Sequence, residues 1–160
     1  KYFIERWRGG KFDKSGIIWW NVKDGWPIIS DAVVDYYGGK KLAYHFIKNV
    51  QHNACVFLND AQDGFYPLVA VNDTRKPVNG KVSVSDVKSG KVYYQGEFFV
   101  DVNGKTIITN IPEIQGQGIL LIQYEVDGKK ELNHYLYGQP PFDFSEYKKL
   151  LNKTGIYSKL

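Results

Sequence analysis

Tryptophan is concentrated at one end of this chain: all four, Trp7, Trp19, Trp20 and Trp26, lie in its first 26 residues. Three of them fall on one segment, Gly16-Ile17-Ile18-Trp19-Trp20-Asn21-Val22-Lys23-Asp24-Gly25-Trp26-Pro27. An apolar run passes there into a polar loop, with a carboxylate between indoles. Such a set can hold a sugar ring. The flat indole covers the ring's C–H face, while carboxylate and amide groups take its hydroxyls. Trp20, Asp24 and Trp26 are the candidate sugar-binding residues. By strand alternation Trp19 points away from Trp20 and reads as core.

Other chemistry finds little support. Asp31 and Asp35 sit on a loop that fixes no distance between them, and Asp readily serves caps and turns. His45, His52 and His134 are far apart in sequence without metal-ligand spacing. Cys55 is alone, which leaves no internal disulfide and no Cys-based zinc site. Its setting, Ala54-Cys55-Val56-Phe57-Leu58, is that of a buried, inert thiol. No metal or cofactor is expected. The net charge is +4, but the lysines are scattered and only three Arg accompany them, so no nucleic-acid partner is expected. No apolar run approaches the roughly 20 residues that span a bilayer, and no membrane partner is expected. The chain has no Met and opens Lys1-Tyr2-Phe3-Ile4-Glu5, with an acid inside its only candidate leader. A processed or excised piece of a longer chain is the expectation.

The elements that would position the aromatic segment fall in two halves. In residues 1–50, Tyr2, Phe3, Ile4 and Trp7 recur at helical spacing, and Gly9-Gly10 stops that helix. The apolar residues at 17–22 run without alternation, which predicts a strand buried on both faces, as in a parallel sheet or barrel. Lys23–Asp35 reads as loop. Lys40–Val50 reads as a helix with Leu42, Ala43, Phe46, Ile47 and Val50 on one face. One such strand has no parallel partner in this chain, so further βα units are expected upstream. Residues 53–137 switch to period two. Seven strands are predicted: Ala54–Asn59, Tyr66–Asn72, Gly80–Val87, Lys91–Val100, Lys105–Asn110, Gly118–Val126 and Lys130–Tyr137. Turn signals separate them at Asp63-Gly64, Asn79-Gly80, Ser89-Gly90, Asn103-Gly104 and Asp127-Gly128; the last two are the strongest hairpin signals. Seven strands over about 85 residues predict an immunoglobulin-like sandwich without the Cys pair. After Pro140-Pro141 a helix is predicted at Ser145–Leu151, with Ser145 as its N-cap, followed by a tail over 152–160. The fold class is therefore mostly β: an antiparallel sandwich, 53–151, preceded by a helix–strand–helix segment, 1–50.

Gly16–Lys48 resembles the last strand and helix of the (β/α)8 barrel in family 2 glycoside hydrolases, nearest the β-mannosidase and exo-glucosaminidase branch. Gly16, Trp20, Asp24, Trp26, Pro27, Ser30, Asp35, Tyr36, Tyr37, Lys40 and Tyr44 carry the likeness. Tyr2–Gly9 resembles the seventh barrel helix. The sandwich and Asn133-His134-Tyr135-Leu136-Tyr137-Gly138-Gln139-Pro140-Pro141-Phe142 resemble the C-terminal β-domain of the same enzymes. Trp19, Asn21 and Lys23 depart from the pattern, and Lys23 adds a charge at the mouth of the site. The resemblance implies that residues 1–50 are the end of a barrel. It implies exo-acting, retaining hydrolysis of a terminal β-linked hexoside by two glutamates. Both would lie upstream of Lys1, so no catalytic residue is expected in this chain; Glu5 falls on the outer helix ring. The implied partners are a carbohydrate substrate and the N-terminal remainder of a parent enzyme. The alternative is a non-catalytic sandwich that binds carbohydrate through Tyr93, Tyr94 and Tyr124 or serves as a scaffold.

Overall fold

The computed structural model describes residues 1–157. The chain divides into two compact units, Lys1–His52 and the part from Asn53 onward.

In the first unit two short helices flank a long irregular stretch. Helix α1 (Tyr2–Gly9) buries Ile4 and Glu5, and the Lys1 ammonium donates to both Glu5 carboxylate oxygens at 2.8 and 2.7 Å. Helix α2 (Leu42–Asn49) carries the expected apolar face, yet none of its residues is buried; Val50, just past its end, is. Arg8 ties the helices together. Its terminal nitrogens donate to the Val50 and His52 carbonyls at 2.6 and 2.8 Å, a cation at the negative end of α2.

The strand predicted at 17–22 does not form a ladder. The pairing nearest to it is a parallel bridge between Lys23 and Val34, continued by an antiparallel bridge from Val34 to Lys40. Ile18, Trp20 and Val22 are 94%, 75% and 66% exposed. A strand that is apolar on both faces needs strands beside it and layers above and below it. Residues 17–22 take part in neither bridge; their link to the knot is the Val22 carbonyl, which accepts from Val34 N–H.

The second unit is the predicted sandwich. Strands β1 (Ala54–Leu58), β2 (Phe65–Asn72), β3 (Val78–Asp86), β4 (Val92–Val100), β5 (Lys105–Pro112), β6 (Gly118–Val126) and β7 (Lys129–Tyr137) match the seven expected ones within two residues at each end. They form two antiparallel sheets, β1-β2-β5 and β4-β3-β6-β7. The inner faces meet in one core that includes Val56, Leu68, Val84, Val100, Leu120 and Ile122, all fully buried. Each such side chain contributes about 1.5–3 kcal/mol by leaving water. Cys55, Phe57, Val69 and Val71 form a second buried cluster from the alternate positions of β1 and β2, so the thiol is indeed buried. The buried Asn133 amide donates to the Val56 carbonyl at 2.8 Å and links β7 to β1 across the sheets.

The turn signals divide by partner. Asp63-Gly64 and Asp127-Gly128 both take left-handed φ, +50°/+80° and +52°/+75°, and close two-residue loops between paired strands. Asn103-Gly104 makes no hairpin. It lies between β4 and β5, which belong to different sheets, and Gly104 turns back to the Asp101 carbonyl at 3.1 Å. Asn79-Gly80 is no turn at all; both residues lie within β3. A Cβ on Gly80 would stand 2.4 Å from the Phe98 ring, so glycine serves close packing there. The crossover into β3 is organised instead by Asn72, fully buried at the end of β2. Its amide donates to the Lys76 and Asp101 carbonyls at 2.7 and 3.0 Å, and its oxygen accepts from Thr74 N–H at 2.9 Å.

Helix α3 (Phe144–Lys153) starts one residue before the predicted helix, and Asp143 rather than Ser145 caps it, accepting from Glu146 N–H at 2.8 Å. The expected tail is helical through Lys153. Thr154 and Tyr157 are buried, and the Tyr157 ring meets His134 edge-on at 5.7 Å. The rest of that tail, 158–160, lies outside the described residues.

Candidate functional site

The aromatic segment sits on a compact knot of backbone. Val34 N–H donates to the Val22 carbonyl at 2.9 Å, and Asp24 N–H donates to the Val34 carbonyl at 3.0 Å. Lys41 N–H donates to the Val33 carbonyl at 3.0 Å, while Ala32 and Val33 are buried beneath. The return from Val34 to Lys40 is a tight turn. Asp35 accepts from Gly39 N–H at 2.7 Å through its side chain, and Gly38 takes φ +92°. Asp35 is a turn residue, as its type suggests.

The three candidate sugar-binding residues take two different orientations. Trp20 and Trp26 are 75% and 73% exposed, so both indoles are open to a ligand. Asp24 is only 5% exposed. One of its carboxylate oxygens accepts from the Ser30 hydroxyl, and the other accepts from the Lys41 ammonium at 3.0 Å. Lys41 also donates to the Ser30 carbonyl at 2.9 Å, and Ser30 Oγ accepts from Ala32 N–H at 3.0 Å. The Ser30 hydroxyl and then the Lys41 ammonium hold the Asp24 carboxyl below its ordinary pKa. Trp19, read as core, is not buried here: it is 38% exposed, because residues 17–22 have no layer packed over them. Beyond the loop, Tyr36 and Tyr37 stack edge-on at 5.2 Å and stay exposed.

The sequence reading singled out Asp24 and placed Ser30 in a motif, but it passed over Lys41. A signal was available. Lys41 precedes the first turn of α2, where the helix dipole disfavours a cation. A lysine there needs an anionic partner, and Asp24 is that partner.

The tyrosines of the alternative reading do not form a binding face. Tyr124 is buried in the core, and Tyr93 and Tyr94 are half-buried and packed against it. The outer face of the four-stranded sheet carries a cross-strand row, Glu97, Lys81, Glu125 and Lys130, whose charges alternate as on a solvated surface. Among the described residues no group of three His, Cys, Asp or Glu is placed to hold a metal ion. Nor is any helix among them long and apolar enough to cross a membrane.

No family model matches the chain, and no curated protein matches it by sequence. A DNA-bound alkylpurine DNA glycosylase from Pseudomonas fluorescens gives a TM-score of 0.29 and 13% identity over 58% of this chain and 33% of that one, which carries no argument. The β-D-mannosidase from Dictyoglomus thermophilum is similar at a TM-score of 0.71 and 25% identity, over 84% of this chain. The match takes up 18% of that enzyme's chain. By fold, this chain is thus related to part of a glycoside hydrolase.

Proposed function

We propose that the chain is the C-terminal portion of a retaining, exo-acting β-glycosidase of glycoside hydrolase family 2, β-mannosidase-like, acting on terminal β-linked hexosides. On this reading residues 1–50 close a (β/α)8 barrel, residues 53–151 are the sandwich that follows it, and both catalytic glutamates belong to the upstream part. Trp20 and Trp26 form one aromatic wall of the sugar pocket. The observation that carries the reading is the likeness to a β-mannosidase over most of this chain and a small part of that enzyme.

The burial pattern of the first unit supports it. Ile18, Val22 and Ile29 are 94%, 66% and 103% exposed. Side chains of this type gain about 1.5–3 kcal/mol each when buried. Neighbouring barrel strands and helices would bury them and turn 17–22 into the parallel strand that its composition predicts.

The test is reconstitution. The isolated chain is expected to show no turnover of an aryl β-mannoside, because the reaction needs two carboxylates that the reading places elsewhere. The same chain joined to the upstream barrel is expected to turn it over. Hydrolysis by the 160-residue chain alone would overturn the reading.

A further inference from the structure

We propose that Asp24 is a positioning residue and not a sugar ligand: together with Lys41 and Ser30 it pins both ends of the loop that presents Trp26. The sugar-binding part of this inference rests on the glycosidase reading above; the pinning does not.

The geometry is a closed ring. The loop leaves the backbone knot at Asp24 and returns at Ser30. Its start and end are joined directly, by the Ser30 hydroxyl on the Asp24 carboxylate, and indirectly, through Lys41, which donates to the Asp24 carboxylate and the Ser30 carbonyl. Trp26 sits on the crown between them. Pro27 fixes φ there, and Ile28 N–H donates to the Trp26 carbonyl at 2.8 Å, a three-residue turn. The indole stands out from this turn: it is 73% exposed, and its neighbours Ile28 and Ile29 are 58% and 103% exposed. An exposed aromatic on a free loop loses affinity by having to be ordered when the ligand arrives. Pinning the loop ends removes part of that cost in advance.

The same contacts argue against Asp24 as a ligand. Both its oxygens are occupied, and its side chain is 1% exposed. Reaching a sugar hydroxyl would require it to leave two partners and strand the Lys41 ammonium. Lys41 itself retains 31% exposure, so it can be replaced without opening a cavity.

The test uses the full chain labelled with 5-fluorotryptophan, whose four fluorine resonances are assigned by single Trp→Phe changes. In Lys41→Met the Trp26 resonance is expected to shift and broaden while that of Trp7, on α1, stays put; Lys41→Arg is expected to restore it. Asp24→Asn should act in the same direction. If Asp24→Asn disturbs all four resonances, the Lys41 pair decides. A Trp26 resonance unmoved in Lys41→Met overturns the proposal. In the reconstituted enzyme, Lys41→Met is expected to raise KM by up to about tenfold, the worth of one aromatic contact, with kcat little changed. A displaced Trp26 resonance with unchanged KM would keep the pinned loop and remove Trp26 from the sugar site.

Discussion

The two units of this chain use similar residues to opposite ends. In the sandwich, Ile122 on β6 is fully buried between two sheets. In the first unit, Ile18 is 94% exposed on a segment just as rich in apolar side chains. The difference lies in where the partners come from. An antiparallel strand finds its neighbour through a short turn, so seven consecutive strands complete their own two layers. A strand covered on both faces depends on crossovers and helices from elsewhere in a fold. Burial is therefore a property of the assembled layers, and an apolar pattern states a requirement that a given stretch of chain meets only if the complementary elements are present.

The contrast can be broken most forcefully in the core. Ile122→Ala should cost the sandwich about 2–5 kcal/mol, read from the urea midpoint, because the cavity has no route to collapse between two sheets. Ile18→Ala in the same chain should move that midpoint by no more than the roughly 0.5 kcal/mol typical of a surface change. Equal effects would mean that the first unit is packed more tightly than its exposure indicates. Next in size is Asn72→Ala, which takes the amide donor from the Asp101 carbonyl and leaves the Lys76 carbonyl only the Thr74 hydroxyl; it should cost about 1–3 kcal/mol.

The smallest effect is a pH dependence confined to the sandwich. Burial, and then the negative Asp86 carboxylate 3.2 Å away, push the Tyr137 hydroxyl from its ordinary 10.0 to about 12. The folded protein thus holds this proton more tightly than the unfolded chain. The corresponding stability is complete below pH 10 and is lost as pH rises through about 12. Tyr137→Phe should flatten the stability curve across that window, and unfolding curves at successive alkaline pH values would show it. A slope unchanged by the substitution would remove Tyr137 as its source.

How much of this could be read in advance differs between the units for the same reason. Period-two alternation and the Asp-Gly turns located all seven strands, because hairpin chemistry is local. Asn103-Gly104 misled because a turn dipeptide carries no information about whether the strands it joins will pair. Asn79-Gly80 misled because the glycine answers to the Phe98 ring lying over it, a contact set by β4. The Asn72 bond to Asp101 and the Asn133 bond to Val56 are invisible in sequence: each reaches a carbonyl brought close only by the finished fold. At the candidate site, residue types pointed to Trp20 and Trp26 as sugar-binding residues, and the structure shows both indoles exposed. They could not say that Asp24 faces inward, since that depends on Lys41, seventeen residues away.

The Asn133–Val56 bond also bears on how the sandwich meets other chains. The three-stranded sheet ends in β1 on one side and β5 on the other. A free edge invites a foreign strand to add to the ladder. On β1 a carbonyl is already taken by a side chain from the opposite sheet, and Cys55 to Leu58 are all buried, so an incoming strand finds neither room nor a complete row of acceptors. On β5, Ile107 is 65% exposed, and Pro112 at the end of the strand has no N–H to offer an incoming strand. The β1 margin is thus sealed from within, and a foreign strand could add there only after displacing a contact that joins the two sheets.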